Sequence, residues 1–168
     1  MQVILKSVKT NLISKNLIIQ ICKLKDSHWK YGISSQLKFF KKNCKENDIN
    51  NLMYFENKLI GYTLLRHKQL LIDNKKKNYL YFDTLIVDKK YRNLGFSDLI
   101  MKFNNLIIKQ NKLYSFLVCE KKMIKFYLKF KWIIKKKINI KINNYKRNKT
   151  FMSLNFNQMN KRRINIEF

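Results

Sequence analysis

Leu85-Ile86-Val87-Asp88-Lys89-Lys90-Tyr91-Arg92-Asn93-Leu94-Gly95-Phe96-Ser97 reads as the end of a strand, a short basic turn and the mouth of a helix in immediate succession. The Arg92-x-x-Gly95-x-Ser97 spacing gathers several backbone N–H groups at a helix N-terminus, facing one small volume. Unpaired amides and the positive end of a helix dipole both favour an anion, so the stretch is read as a phosphate-binding loop. Working outward, Tyr79–Val87 is apolar enough to be a strand buried on both faces. After the loop, Leu99, Ile100, Phe103, Leu106 and Ile107 fall at helical spacing, and Leu113–Cys119 is the next strand. Strand, helix and strand in that order predict a right-handed parallel crossover. A short helix, Lys122–Phe130, carries Phe126-Tyr127, with Trp132 just beyond it.

On the N-terminal side, Gln2–Lys9 is an opening strand, and Ser14 caps a helix bearing Leu17, Ile18, Ile21 and Leu24 on one face. Asp26–Ile33 breaks that pattern, and Ser34 or Ser35 caps a second helix with Leu37, Phe40 and Cys44 inward. Asn51–Glu56 and Leu59–His67 form a hairpin around Asn57-Lys58, and Asp73–Asn78 is a polar turn. Near the end, Trp132–Ile142 and Thr150–Phe156 alternate well enough to be a closing antiparallel hairpin, joined by the basic loop Asn143–Lys149. One domain over residues 1–156 is expected, followed by a basic, solvated C-terminal tail, 157–168, that includes Lys161-Arg162-Arg163.

The formal net charge is +27, which ordinarily points to a polyanion partner. A blander cause competes: the chain is rich in Lys, Asn and Ile, has no Ala or Pro and three Gly, as AT-rich codons would give. Arg, the better residue for base and phosphate recognition, is scarce. Cys22, Cys44 and Cys119 make an odd, widely spaced set without a zinc-like pattern, so reduced thiols and no metal are expected. Met1–Lys9 lacks the unbroken apolar run of a signal peptide, and no run reaches the length of a membrane span. The expected setting is the cytoplasm, with no membrane partner.

With strand, loop, helix, strand and Phe-Tyr helix in this order, the chain resembles the GNAT superfamily of acyl-CoA-dependent N-acetyltransferases. The resemblance rests on Arg92-Asn93-Leu94-Gly95-Phe96-Ser97 and on Phe126-Tyr127-Leu128-Lys129-Phe130-Lys131-Trp132. It departs from the family pattern at Ser97, where Gly or Ala is usual, at Lys131, where Gly is usual, and at Glu120, where Asn is common. The implied fold is α/β (α+β): a mixed, mostly antiparallel twisted sheet with helices on both faces. One parallel strand-helix-strand crossover would form the acyl-CoA cleft. The implied activity is N-acetyl transfer from acetyl-CoA, as co-substrate, to a primary amine of a small molecule or amino sugar, by a monomer or homodimer. A nucleic-acid-binding or RNA-modifying basic protein is the second reading, and a degenerate CoA-binding domain without turnover is the third.

The resemblance also assigns residues. Leu85, Ile86, Val87, Arg92, Asn93, Leu94, Gly95, Phe96 and Ser97 would bind the cofactor, with a main-chain N–H near Ile86 or Val87 on the thioester carbonyl. Tyr127 would protonate the departing thiolate; alternatively it is a core aromatic packed with Met123, Ile124, Phe126 and Phe130. Asp83, an acid inside the central strand, is either a general base or the partner of a lysine, and Glu120 is a second candidate base. Trp29 and Tyr31 would shape the acceptor pocket or, equally, pin a loop to the core. His28 and His67 belong to no recognisable ligand pair.

Overall fold

A computed structural model describes residues 2–135, 140–143, 149–156 and 164–167. The chain packs as two units, each assembled from two stretches of sequence: Met1–Arg66 with Thr84–Ile107, and His67–Asp83 with Ile108–Phe168.

In the first unit the strand order is β1-β2-β3-β4. β1 (Val3–Lys9) pairs antiparallel with β2 (Ile49–Phe55), which pairs antiparallel with β3 (Lys58–Ile72). Glu56 and Asn57 turn the chain between β2 and β3 with φ of 46° and 63°, one residue earlier than expected. Ser14 caps α1 (Lys15–Asp26), its hydroxyl accepting from Leu17 N at 3.2 Å. α2 (Ile33–Asn43) starts after Gly32 at φ +84° rather than at Ser34 or Ser35. A left-handed residue reverses the chain there, Gly adopts it without strain, and Asp26 Oδ1 accepts from Gly32 N at 2.7 Å.

Alternation then sorts the strand side chains between two faces. Leu52, Tyr62, Leu64 and Ile86 pack with Ile21, Cys22 and Leu24 of α1 and Phe40 of α2. Met53 and Val87 project the other way, against Ile100 of α3 (Phe96–Gln110). Gly61 lets that helix approach: a Cβ there would lie 2.6 Å from Met53 Cε and 3.1 Å from Ile100 Cδ1. A buried polar triad fixes the register of helix on sheet. Asn51 Nδ2 donates to Thr63 Oγ1 (3.1 Å) and to Asn104 Oδ1 (3.0 Å), and Thr63 Oγ1 donates to Asn104 Oδ1 (2.7 Å).

In the second unit the order is β3, β4 (Lys75–Val87), β5 (Tyr114–Glu120), β8 (Lys149–Leu154) and β6 (Ile133–Ile134). β3 runs on to Ile72 and β4 (Lys75–Val87) begins three residues later. The expected polar turn Asp73–Asn78 therefore shrinks to Asp73-Asn74, at φ 47° and 62°, the pair of left-handed residues that a two-residue hairpin requires. Lys75–Asn78 are exposed on all sides, which disguised them as loop. β4 pairs in parallel with β5 (Tyr114–Glu120) from Tyr79↔Tyr114 to Phe82↔Leu117, so strand, α3 and strand form the expected parallel crossover. On its other edge β5 pairs antiparallel with β8 (Lys149–Leu154), from Ser115↔Leu154 to Glu120↔Lys149. Leu70, Ile72, Tyr79, Phe116, Phe151 and Phe156 form the core of this unit.

Two expectations for the C-terminal region change. Among the described residues of the expected strand Trp132–Ile142, β6 (Ile133–Ile134) pairs antiparallel with β8, whereas β7 (Ile140–Asn143) pairs in parallel with β9 (Ile164–Glu167). β6 is the start of the expected hairpin strand, and Lys135 N still donates to Phe151 O (3.0 Å) beyond it; residues 136–139 lie outside the described residues. β9 also pairs with the end of β3, so Ile164–Glu167 form a strand where a solvated tail was expected. Lys161-Arg162-Arg163 and residues 144–148 of the basic loop lie outside the described residues.

α4 (Ile124–Lys129) ends in paired bonds from Lys131 N to Leu128 O (3.0 Å) and from Trp132 N to Tyr127 O (3.3 Å), which force Lys131 to φ +64°. The backbone here is the left-handed conformation that glycine adopts most readily. The Lys131 side chain is exposed, so Lys131→Gly relieves a left-handed strain of roughly 1–2 kcal/mol, offset partly by glycine's greater freedom when unfolded. A net gain of about 1 kcal/mol, or about 3 °C in Tm, is expected by differential scanning calorimetry. A lower Tm would mean that the lysine side chain contributes more than its backbone costs.

Candidate functional site

The loop after β4 is built by a short relay of hydrogen bonds, all within the first unit. Asp88 N donates to Ile60 O (2.7 Å), and Asp88 Oδ1 accepts from Lys90 N (3.0 Å), which starts a 3-10 turn over Lys89–Tyr91. Lys58 Nζ pairs with Asp88 Oδ2 at 3.2 Å. Partial burial pulls the Asp88 carboxyl upward, but the bonds and charges of Lys90 and Lys58 outweigh it and hold the group below the usual aspartate range. Asn93 (φ 63°) and Gly95 (φ 80°) then turn the chain sharply. Gly95 O accepts from Asp98 N and Leu99 N, each at 3.1 Å, and α3 begins. The first amides of the helix, including those of Phe96 and Ser97, have no carbonyl one turn back to meet. Space above Gly95 is open, with nothing within 4 Å of where a Cβ would stand.

Three rings hold this loop in place, and sequence spacing did not reveal them as a set. Phe55 at the end of β2 meets Tyr91 at 5.7 Å and Phe96 at 5.4 Å, and Tyr91 and Phe96 are 6.1 Å apart, all edge to face. Tyr91 and Phe96 flank the turn, so the triangle clamps both of its ends. The Phe96 ring is therefore committed to packing, and what it presents at the loop is its amide. Ile86 and Val87 are buried and Leu85 half-buried, while Asn93 and Leu94 are exposed. Arg92 donates from Nε to Val87 O (3.1 Å), and its Nη2 lies 3.3 Å from His28 Nδ1. Through His28 the loop meets the connection between α1 and α2 that carries Trp29 and Tyr31. Trp29 is half-buried against the α1–α2 core, whereas Tyr31 is 71% exposed. Nearby, a cleft of about 530 Å³ is lined by Lys23 of α1 and Ser27 just after it, Glu56 and Asn57 of the β2–β3 turn, Lys58 at the start of β3, and Asp88.

Tyr127 and Asp83 belong to the second unit. β4 and β5 both continue beyond their last parallel pair, β4 to Val87 and β5 to Glu120. Tyr127 is buried, its ring edge-on to Phe126 (5.3 Å), Phe82 (6.1 Å) and Trp132 (6.2 Å). Burial first, then the neighbouring Cys119 and Tyr81, push its phenol far above the ordinary tyrosine value. Tyr127 therefore stays protonated throughout any working pH. Burial likewise raises the Cys119 thiol to about 11, against a smaller lowering by Lys149, so this thiol is inert near neutrality. Glu120 is exposed, and Lys122 (2.9 Å) and Lys149 (3.1 Å) hold its carboxyl below the usual range. A carboxylate held ionised in this way is a weak base. Asp83 is half-buried on β4 and engaged by a neighbouring group.

No family model and no curated protein matches the sequence. Solved structures do match the fold. An acyl-CoA N-acyltransferase from Pseudomonas aeruginosa superposes with a TM-score of 0.68 at 7% identity, over 90% of this chain and 99% of the other. A putative acetyltransferase of the GNAT family from Desulfovibrio desulfuricans gives 0.65 at 7% identity, over 90% and 96%. The chain has the GNAT fold. A third protein of this fold, an aminoglycoside 6′-N-acetyltransferase in complex with coenzyme A, gives 0.64 at 12% identity, over 90% and 96%. Among the described residues of this GNAT fold, no group of three or more His, Cys, Asp or Glu is placed to hold a metal. No helix among them is long and apolar enough to cross a membrane.

Proposed function

We propose that this chain is an acyl-CoA-dependent N-acyltransferase that moves an acetyl group from acetyl-CoA to a primary amine of a small molecule or amino sugar. The observation that carries the reading is the loop Arg92–Ser97. It sets two left-handed residues, an open space over Gly95 and the unpaired amides of α3 at the end of a strand. That arrangement suits a pyrophosphate, whose charge meets the helix dipole and whose oxygens meet N–H donors. The GNAT fold supports it, as does the coenzyme A complex of an aminoglycoside-modifying relative in fold.

In the proposed reaction a neutral amine attacks the thioester carbonyl, the C–N bond forms, and the C–S bond breaks. A main-chain N–H near Ile86 or Val87 steadies the oxyanion. Asp83, directly or through water, takes the proton the amine loses. Tyr127 points its phenolic donor toward the departing thiolate. Because burial makes its phenol the weaker acid of the two, its contribution is a hydrogen bond to sulfur as charge develops, and the thiolate takes its proton from water as CoA leaves. Trp29 and Tyr31 border the acceptor.

The test is thermal stability at physiological salt with acetyl-CoA, 3′-dephospho-CoA and ATP in parallel. Acetyl-CoA at ~100-fold over its Kd stabilises by roughly 2.7 kcal/mol, a rise of about 5–10 °C for a chain of this length. A clear excess over ATP is expected. Equal shifts with all three would instead favour a site that reads charge alone, as a polyanion-binding protein would.

A further inference from the structure

Arg92 is a guanidinium held at two points. Its Nε donates to the Val87 carbonyl at the end of β4, and Nη2 lies 3.3 Å from His28 Nδ1. Arginine carries five donors and no acceptor, and it keeps its proton at any ordinary pH. The contact therefore assigns the histidine: Nδ1 accepts with its lone pair, and the ring is neutral with its hydrogen on Nε2. Two fixed contacts on one edge of a planar fork orient the whole plane, so the donors of the opposite edge keep one direction.

His28 is itself held. Its amide donates to Lys25 O at 3.1 Å, the next amide, of Trp29, also donates to Lys25 O (2.9 Å), and the imidazole lies edge-on to the Trp29 ring at 4.8 Å. Trp29 O accepts from Gln36 Nε2 at 3.1 Å, and Gly32 N donates to Asp26 Oδ1, so the connection is tied to both flanking helices. An exposed arginine on a basic surface would otherwise sample many rotamers and lose that freedom on binding an anion.

We propose that His28 is a positioning residue, whose neutral Nδ1 holds the Arg92 guanidinium so that its remaining N–H groups meet a phosphate of the acyl-CoA. The inference rests on the acyl-CoA reading above and deepens it, naming a residue outside the phosphate loop that sets the loop's affinity. It acts through Arg92 and touches no reacting atom.

The experiment is calorimetric titration of acetyl-CoA into the intact chain at pH 8.0, for wild type, His28→Ala, His28→Asn, Arg92→Ala and the His28→Ala/Arg92→Ala double variant. Losing one orienting hydrogen bond is expected to weaken binding about 3- to 10-fold in His28→Ala. His28→Asn sets Oδ1 close to the former place of Nδ1 and is expected to recover affinity to within about twofold. In the Arg92→Ala background, His28→Ala should have no further effect. Binding unchanged in His28→Ala, or a loss that asparagine does not rescue, or a loss that persists without Arg92, overturns the positioning role while leaving the acyl-CoA reading intact. Absence of binding in wild type overturns both.

Discussion

Replacing Tyr127 by phenylalanine is expected to slow CoA release by about a hundredfold or more, the range typical of a lost hydrogen-bond donor to developing charge, while acetyl-CoA binds with unchanged affinity. The ring sits among Phe82, Phe126 and Trp132, so phenylalanine keeps every aromatic contact and removes one oxygen. The packing is preserved, and the change isolates the hydroxyl. Because burial drives the phenol far above its ordinary value, the wild-type pH–rate profile should contain no limb from Tyr127 near neutrality. Any limb there belongs to the amine or to its base. Stopped-flow detection of free CoA thiol with a saturating amine measures the rate, and calorimetry measures the affinity. Turnover equal to wild type would remove Tyr127 from the mechanism and leave it a core aromatic.

Gly95→Val should weaken acetyl-CoA binding about tenfold to a hundredfold, equivalent to losing one charge-assisted hydrogen bond. A β-branched residue is a backbone outlier at φ +80°, so the turn must shift and carry the Phe96 and Ser97 amides with it. The added methyls also enter the open volume above the loop. The free protein should lose only the left-handed strain of roughly 1–2 kcal/mol, about 2–8 °C in Tm. A much larger loss of ligand affinity than of stability is the expected signature. Equal affinity in the variant would show that no phosphate rests over Gly95.

How much of this was legible in the sequence depends on whether the signal was local. The strand-loop-helix at Leu85–Ser97 was, because a turn, a glycine and a helix face each leave their mark within a few residues. The hidden half of the β3–β4 hairpin was not: ladder hydrogen bonds belong to the backbone, and a ladder tolerates Lys75–Lys77 as readily as valine when the side chains face water. The closing hairpin was legible only in part. Alternation in Thr150–Leu154 tells which face is inward but not which strand lies alongside: Ile133–Ile134 does, as expected, whereas Ile140–Asn143 pairs with β9. Around the site, the contacts of Phe55 with Tyr91 and Phe96 and that of His28 with Arg92 join residues 36 or more positions apart and leave no spacing to read. Lys131 was legible in reverse: the resemblance leads one to expect glycine there, and the backbone has the left-handed geometry that glycine favours.

The interleaving of the two units has a consequence for how the chain is made. Thr84–Ile107 belong to the unit that begins with β1, so that unit stays unfinished while His67–Asp83, which belong elsewhere, are being synthesised. From Arg66 to Ile107 about forty further residues must leave the ribosome, roughly 2–8 s at a translation rate of ~5–20 residues per second. For that interval the faces of β2 and β3 that α3 later covers stand open, with Met53, Ile60 and an unpaired strand edge in contact with solvent or with a chaperone. A nascent chain stalled near residue 83 should therefore be a far better chaperone client than one stalled past residue 107, although the two differ only by the end of β4, one turn and one helix.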